Sequence, residues 1–191
     1  MSFVKIPYNN ASDILALYDP SAELKALVEP NMSPAALVTR ACDEERFSDA
    51  VIFLAHGMPV REAIWWSCCC ASHRTDWKDV ELDAIRSAKA WVHAPDETSR
   101  RYAEKAANAA TLDTGAGWTA QAAFWSGGSI TDDGAPPLPA PPYLYAHAVG
   151  GAINLTAVLP DGAEVEKRYP LFIEIGIHIA NGGNGQIEGV R

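Results

Sequence analysis

The sequence predicts an all-α protein, a compact bundle or stack of helical hairpins with about seven to eight helices and a proline-rich connector before the last two. Three observations carry this. From about residue 33 to 111, Pro or an acid opens each segment, and Gly, Pro or a short polar stretch closes it. Leu82, Ile85, Ala88 and Val92 fall on one helical stripe. The only period-two run, Ile173, Ile175, Ile177 and Ile179, has no second alternating run to pair with.

Taken in order, Ser33 is an N-cap followed by Pro34 at the first helical position, and Ala36, Leu37, Arg40 and Ala41 continue the helix. A second segment runs from Phe47 to Ala55 and stops near Gly57. Pro59 opens a third, from Val60 to Ala71, which after Glu62 is apolar or small on every face and therefore reads as a central, buried helix. Its adjacent Trp65 and Trp66 point about 100° apart, so that one fills the core and the other meets a neighbour. Asp79 caps the amphipathic helix that ends near Lys89 and His93, and Pro95-Asp96-Glu97 begins an Ala-rich helix whose small side chains allow close helix approach.

Beyond Asp113 the composition changes. No charged residue lies between Asp113 and Asp132, or between Asp133 and Asp161. Trp118 to Trp125 reads as a short helix stopped by Gly127-Gly128, and Asp132-Asp133-Gly134 as a turn. Residues 132–142 hold so many prolines that they predict an extended, rigid spacer. A helix then runs from Tyr143 to before Pro160. Asp161 and Glu164 have capping-box spacing ahead of the last segment, and residues 170–180 are read as helical. The whole chain, 1–191, forms one domain, with 1–20 and 181–191 expected to be flexible termini.

Composition narrows function. The net charge is -9 and the pI about 4.9, which repels phosphate backbones and anionic headgroups and argues against nucleic acid as a partner. Arg100-Arg101 with Lys105 is the densest basic cluster and reads as a solvated helix face. The opening residues lack a long apolar stretch, so no secretory signal is read and the expected address is cytoplasmic. The uncharged helix after the prolines is diluted by His147, Gly150-Gly151, Asn154 and Thr156, and no basic cluster flanks it, so membrane insertion is not expected.

Candidate chemistry is sparse. Cys69 and His73 are four apart and would share a helix face, with Cys42 approaching from another helix, but a structural zinc site needs four ligands and no second pair is present. Cys68, Cys69 and Cys70 read as inert core thiols. His56, His93, His147 and His178 lie on separate segments, His147 as a core histidine. Ser126-Gly127-Gly128-Ser129 fits neither a nucleophile elbow nor a phosphate loop, and Gly182 to Gly185 has no strand-turn-helix context. The acidic neighbours Asp43, Glu44 and Glu45, or Asp132 and Asp133, read as solvated. No catalytic, cofactor-binding or metal residue is therefore assigned. The remaining candidates are aromatic: Trp118, Trp125, Tyr143 and Tyr145 bracket the proline connector and would form one protein-binding patch if the two uncharged helices stack.

The blocks Pro59-Val60-Arg61-Glu62-Ala63-Ile64-Trp65-Trp66, Ala90-Trp91-Val92 with Pro95 and Arg100-Arg101, and Ala123-Phe124-Trp125-Ser126-Gly127-Gly128-Ser129 resemble an uncharacterised family of bacterial all-helical proteins associated with type VI secretion gene clusters. The resemblance spans roughly residues 45 to 180 and carries no functional residues. It implies, by gene neighbourhood alone, an adaptor, chaperone or accessory role toward a secreted effector or spike component. The expectation is thus a non-enzymatic, cofactor-free, cytoplasmic protein-binding factor. The alternatives are an immunity protein that neutralises a toxin, and a small enzyme or metal protein using Cys69, His73 and Cys42.

Overall fold

A computed structural model describes residues 3–132 and 134–187. Among these residues there are ten helices and no strand. They are α1 (Ala11–Leu15), α2 (Ala22–Ala26), α3 (Pro34–Asp43), α4 (Phe47–Gly57), α5 (Val60–Ala71), α6 (Asp79–His93), α7 (Glu97–Ala110), α8 (Gly115–Phe124), α9 (Leu144–Val158) and α10 (Val165–Ala180). The all-α bundle is as the periodicity requires, with the proline-rich segment ahead of the last two helices. The two additional helices are the five-residue α1 and α2, too short to leave a periodic signal.

The middle of the chain folds as its local chemistry dictates. Ser33 accepts from the Ala36 amide at 3.2 Å, with Pro34 in the first turn of α3. In α5 the two tryptophans divide as their angle demands. Trp66 is fully buried and donates from Nε1 to the Phe172 carbonyl at 2.7 Å, whereas Trp65 is half-buried. Gly176 lets α10 close onto Trp66, since a Cβ there would stand 2.6 Å from the indole. In α10 the isoleucine alternation is only apparent: the buried set Tyr169, Phe172, Ile173, Ile175, Gly176, Ile179 and Ala180 has helical spacing, while Ile177 of the alternating run is only half-buried.

α9 lies at the centre, in contact with α4, α5, α8 and α10, while α6, α7 and α8 pack on one another. Ala84, Ala106, Ala107, Ala110 and Ala120 fill that second contact, where small side chains bring helix axes close. Gly115 and Gly117 serve the same end, because a Cβ would collide with α9 at the first and with the Thr111 carbonyl at the second.

Four expectations need correction. The proline segment is not an extended spacer: it doubles back, with Ala140 N donating to Gly128 O at 3.0 Å, Ile130 N to Leu138 O at 2.8 Å, and Ser129 bridged to Pro139. Asp133, in its expected turn, lies outside the described residues. The chain ends are packed rather than loose. Ile6 and Ile14 are buried against Gly57, Lys5 N donates to Ala180 O at 2.8 Å, and Gly185 packs on Cys69 and Ile179; residues 1–2 and 188–191 lie outside the described residues. Arg100 is not on a solvated face but 4% exposed. His147 is exposed, not a core histidine.

Candidate functional site

The best-defined surface feature is the hairpin whose described residues are 128–132 and 134–140, and it is built outward from α7. Asp96 caps that helix by accepting from the Ser99 amide at 2.8 Å, which sets Glu97, Arg100 and Arg101 on its first turns. Arg100 uses its whole fork: Nε and Nη2 each reach Glu97 at 2.6 Å, Nη1 reaches Phe124 O at 2.8 Å, and Nη2 also reaches Ser129 O at 2.9 Å. Its guanidinium lies 4.9 Å from the Phe124 ring centroid. Arg101 adds bonds to Glu97, to Glu104, and to the Thr131 carbonyl at 2.9 Å. The Arg100 bonds hold the Glu97 carboxyl down at about 2.

Two arginines thus clamp the carbonyls of one hairpin arm, and that arm in turn holds the other. Ser129 Oγ accepts from the Leu138 amide at 3.1 Å and contacts Thr131 Oγ1 at 2.7 Å, while Thr131 Oγ1 donates to Pro136 O at 3.0 Å. Gly128 has φ +65, which favours glycine, and a Cβ there would stand a tight 3.1 Å from the Arg100 guanidinium. In the Ser-Gly-Gly-Ser string, Gly128 thus turns the chain and Ser129 seams the two hairpin arms. At its outer arm Leu138, 54% exposed, projects between prolines.

The four aromatic candidates divide into two pairs. α8 and α9 do stack, and Trp118 and Trp125 meet edge to face with centroids 6.0 Å apart, half-buried, beside the root of the hairpin. Tyr143 and Tyr145, 6.4 Å apart, instead turn toward α4 and the N-terminal segment. Tyr143 shares a 3.0 Å hydroxyl contact with Tyr8, and Tyr145 donates to Met58 O at 3.1 Å. Among the described residues no ring contact joins the two pairs.

That second pair belongs to a cluster no local pattern reveals. His56 stacks on Tyr18 at 4.2 Å, meets His147 edge-on at 4.6 Å and lies 6.3 Å from Tyr143. Its Nδ1 faces the Ile52 carbonyl at 2.8 Å and so carries the proton, leaving a neutral ring whose buried Nε2 has no partner. Burial pushes the imidazole down to about 4. The bond with Tyr143, then burial, raises Tyr8 to about 12; burial raises Tyr145 to about 12 and Tyr18 further. These shifts favour the uncharged forms of His56, Tyr8, Tyr18 and Tyr145.

A pH dependence follows. In the unfolded chain His56 titrates near its ordinary value of 6.5, and in the fold near 4, so between these values the unfolded state binds more protons. Stability is therefore expected to fall as pH drops from 6.5 towards 4, and thermal melts should show a shallower decline for His56→Phe. Identical slopes for the two proteins would refute the assignment.

Cys69 and His73 do not share a helix. α5 ends at Ala71, so His73 lies past the helix that carries Cys69, and Cys42 is at the far end of α3. Burial raises Cys69 and Cys42 to about 11 and Cys68 and Cys70 higher still, which disfavours the thiolate. Among the described residues no group of three His, Cys, Asp or Glu side chains could hold a metal ion. No helix among them is long and apolar enough to cross a membrane.

The model of a family of unknown function, DUF6931, matches residues 37–180. The chain belongs to that family. The match runs from within α3 to the end of α10, so it contains the arginine clamp, the hairpin and the Trp66 contact, while the packed N-terminal segment and residues 181–187 lie outside it. No curated protein and no solved structure matches the chain. Sequence reasoning missed the clamp because nothing local distinguishes a buried arginine from a solvated one; its one signal was the Arg-Arg pair upstream of an uncharged Gly-rich stretch.

Proposed function

We propose that the protein is a non-enzymatic accessory factor that binds another protein through the clamped proline hairpin. By the resemblance of its Arg-Glu-Ala-Ile-Trp-Trp and Trp-Ser-Gly-Gly-Ser blocks, it is an adaptor or chaperone-like component of a bacterial type VI secretion system, acting in the cytoplasm on a secreted effector or spike component. One observation carries the binding reading: an exposed leucine on a proline-rich arm that the fold holds in place with two arginines. A preformed apolar projection loses little entropy on docking, and prolines present an extended backbone that aromatic-lined grooves accept. Residues 134–160 carry no charge in a chain of net charge -9, so the proline-rich arm that bears Leu138 is uncharged, although the hairpin as a whole also contains Asp132 and Asp133. Trp118 and Trp125 at its root extend the apolar contact.

An affinity pull-down from the native cells tests this reading. Reproducible recovery of an effector or spike component, whose solubility improves on coexpression with this protein, is the expected result. Rescue from the partner's toxicity without improved solubility would instead make it an immunity protein, and a partnerless monomer would overturn the reading.

A further inference from the structure

The two chain ends, α5 and the end of α6 enclose a second feature, unrelated to the hairpin. Lys5, Arg61, Glu62, Trp65, Val92, His93 and the Gly182-Gly183 turn surround a cleft of about 260 Å³. Two bonds hold its walls: Lys5 N donates to Ala180 O, and Trp65 Nε1 donates to Asn184 O at 2.8 Å, which anchors the indole by its edge. His93 meets that indole edge-on at 5.9 Å. Arg61 is exposed and held by Nε, on the Val92 carbonyl at 2.6 Å, so that its two Nη atoms face solvent and among the described residues no protein acceptor pairs with them. Lys5 and Glu62 are 3.5 Å apart, a loose pair with both ends partly in solvent.

From this geometry we infer that the cleft is a binding site for a small organic carboxylate carried on a flat ring. The unpaired end of the Arg61 fork offers the parallel donors that match a carboxylate. Lys5 supplies a second cation and Glu62 cancels one charge, so the three together favour a monoanion over a phosphate dianion. The indole and imidazole form an aromatic wall for the ring, and the volume falls just below the range of drug-sized pockets, which suits a ligand of one ring. In a chain with 15 basic and 24 acidic residues, two cations around an aromatic wall are not a generic surface.

Titration with benzoate, followed by calorimetry and by the shifts of the Trp65 and His93 ring resonances, tests the site, with inorganic phosphate as the comparison. Saturable benzoate binding in the millimolar range is expected, weakened roughly tenfold by Arg61→Met, several-fold by Lys5→Met, and strengthened by Glu62→Gln, which removes the competing carboxylate. The Glu62→Gln arm leaves both cations in place and stands even if Arg61→Met fails to fold. No saturation at about 10 mM benzoate, equal affinity for Arg61→Met and the parent, or tighter binding of phosphate than benzoate would each overturn the inference.

Discussion

Trp66→Ala is expected to lower the free energy of unfolding by about 4 kcal/mol, the largest effect of any single substitution considered. Trp66 is fully buried between α5 and α10, and its indole fills the space that Gly176 leaves open. Truncation removes most of that contact, and the bonds at the end of α10, from Lys5 N to Ala180 O and from Gly182 N to Ile179 O, resist its collapse into the gap. The Phe172 carbonyl also loses its 2.7 Å donor inside the core. Trp66→Phe keeps part of the ring and isolates the hydrogen bond, at a cost of about 1–2 kcal/mol. Urea denaturation of both variants measures this. A loss below about 1 kcal/mol for the alanine variant would mean that α5 and α10 do not depend on this contact.

The second large effect is local. Arg100→Met preserves the apolar stem over Phe124 but removes every donor of the fork, leaving the carbonyls of Phe124 and Ser129 without their partner. A loss of about 2–3 kcal/mol is expected, and its signature is position: amide exchange at Ile130, Leu138 and Ala140 should accelerate well before exchange in α9 does. Arg100→Lys should not restore protection, because a single ammonium cannot reach Glu97 and two carbonyls in one plane. Uniform acceleration across the protein would show that Arg100 supports the bundle at large and not the hairpin.

What the sequence made legible follows from what is local. Ser33-Pro34, the Leu82–Val92 stripe and the all-apolar run after Glu62 are signals carried within one or two helical turns, and each became a helix in its place. The proline segment misled because proline restricts each residue's φ but does not say whether the chain folds back. Side chains from outside the segment decided that, through the Arg101 bond to Thr131 and the Ser129 bond to Leu138. The burial of Arg100 was hidden for the same reason, as was the meeting of Tyr18, His56 and His147 from three separate segments. Of the four aromatic candidates, the tryptophans sit together at the hairpin root, whereas the tyrosines are drawn inward by partners at Tyr8 and Met58 that no spacing rule connects to them.

The central claim is that a clamped apolar hairpin is the contact surface for a partner protein, and a matched pair of charge substitutions tests it most directly. Leu138 and Val80 are both exposed, at 54% and 46%, but only Leu138 lies on the hairpin, Val80 being at the start of α6. With the partner captured from native cells, the affinities of Leu138→Asp and Val80→Asp would be measured against the parent protein after circular dichroism confirms equal folding. The account predicts at least a roughly tenfold loss for Leu138→Asp and no change for Val80→Asp. Equal affinity for the two variants, or a loss confined to Val80→Asp, would contradict it.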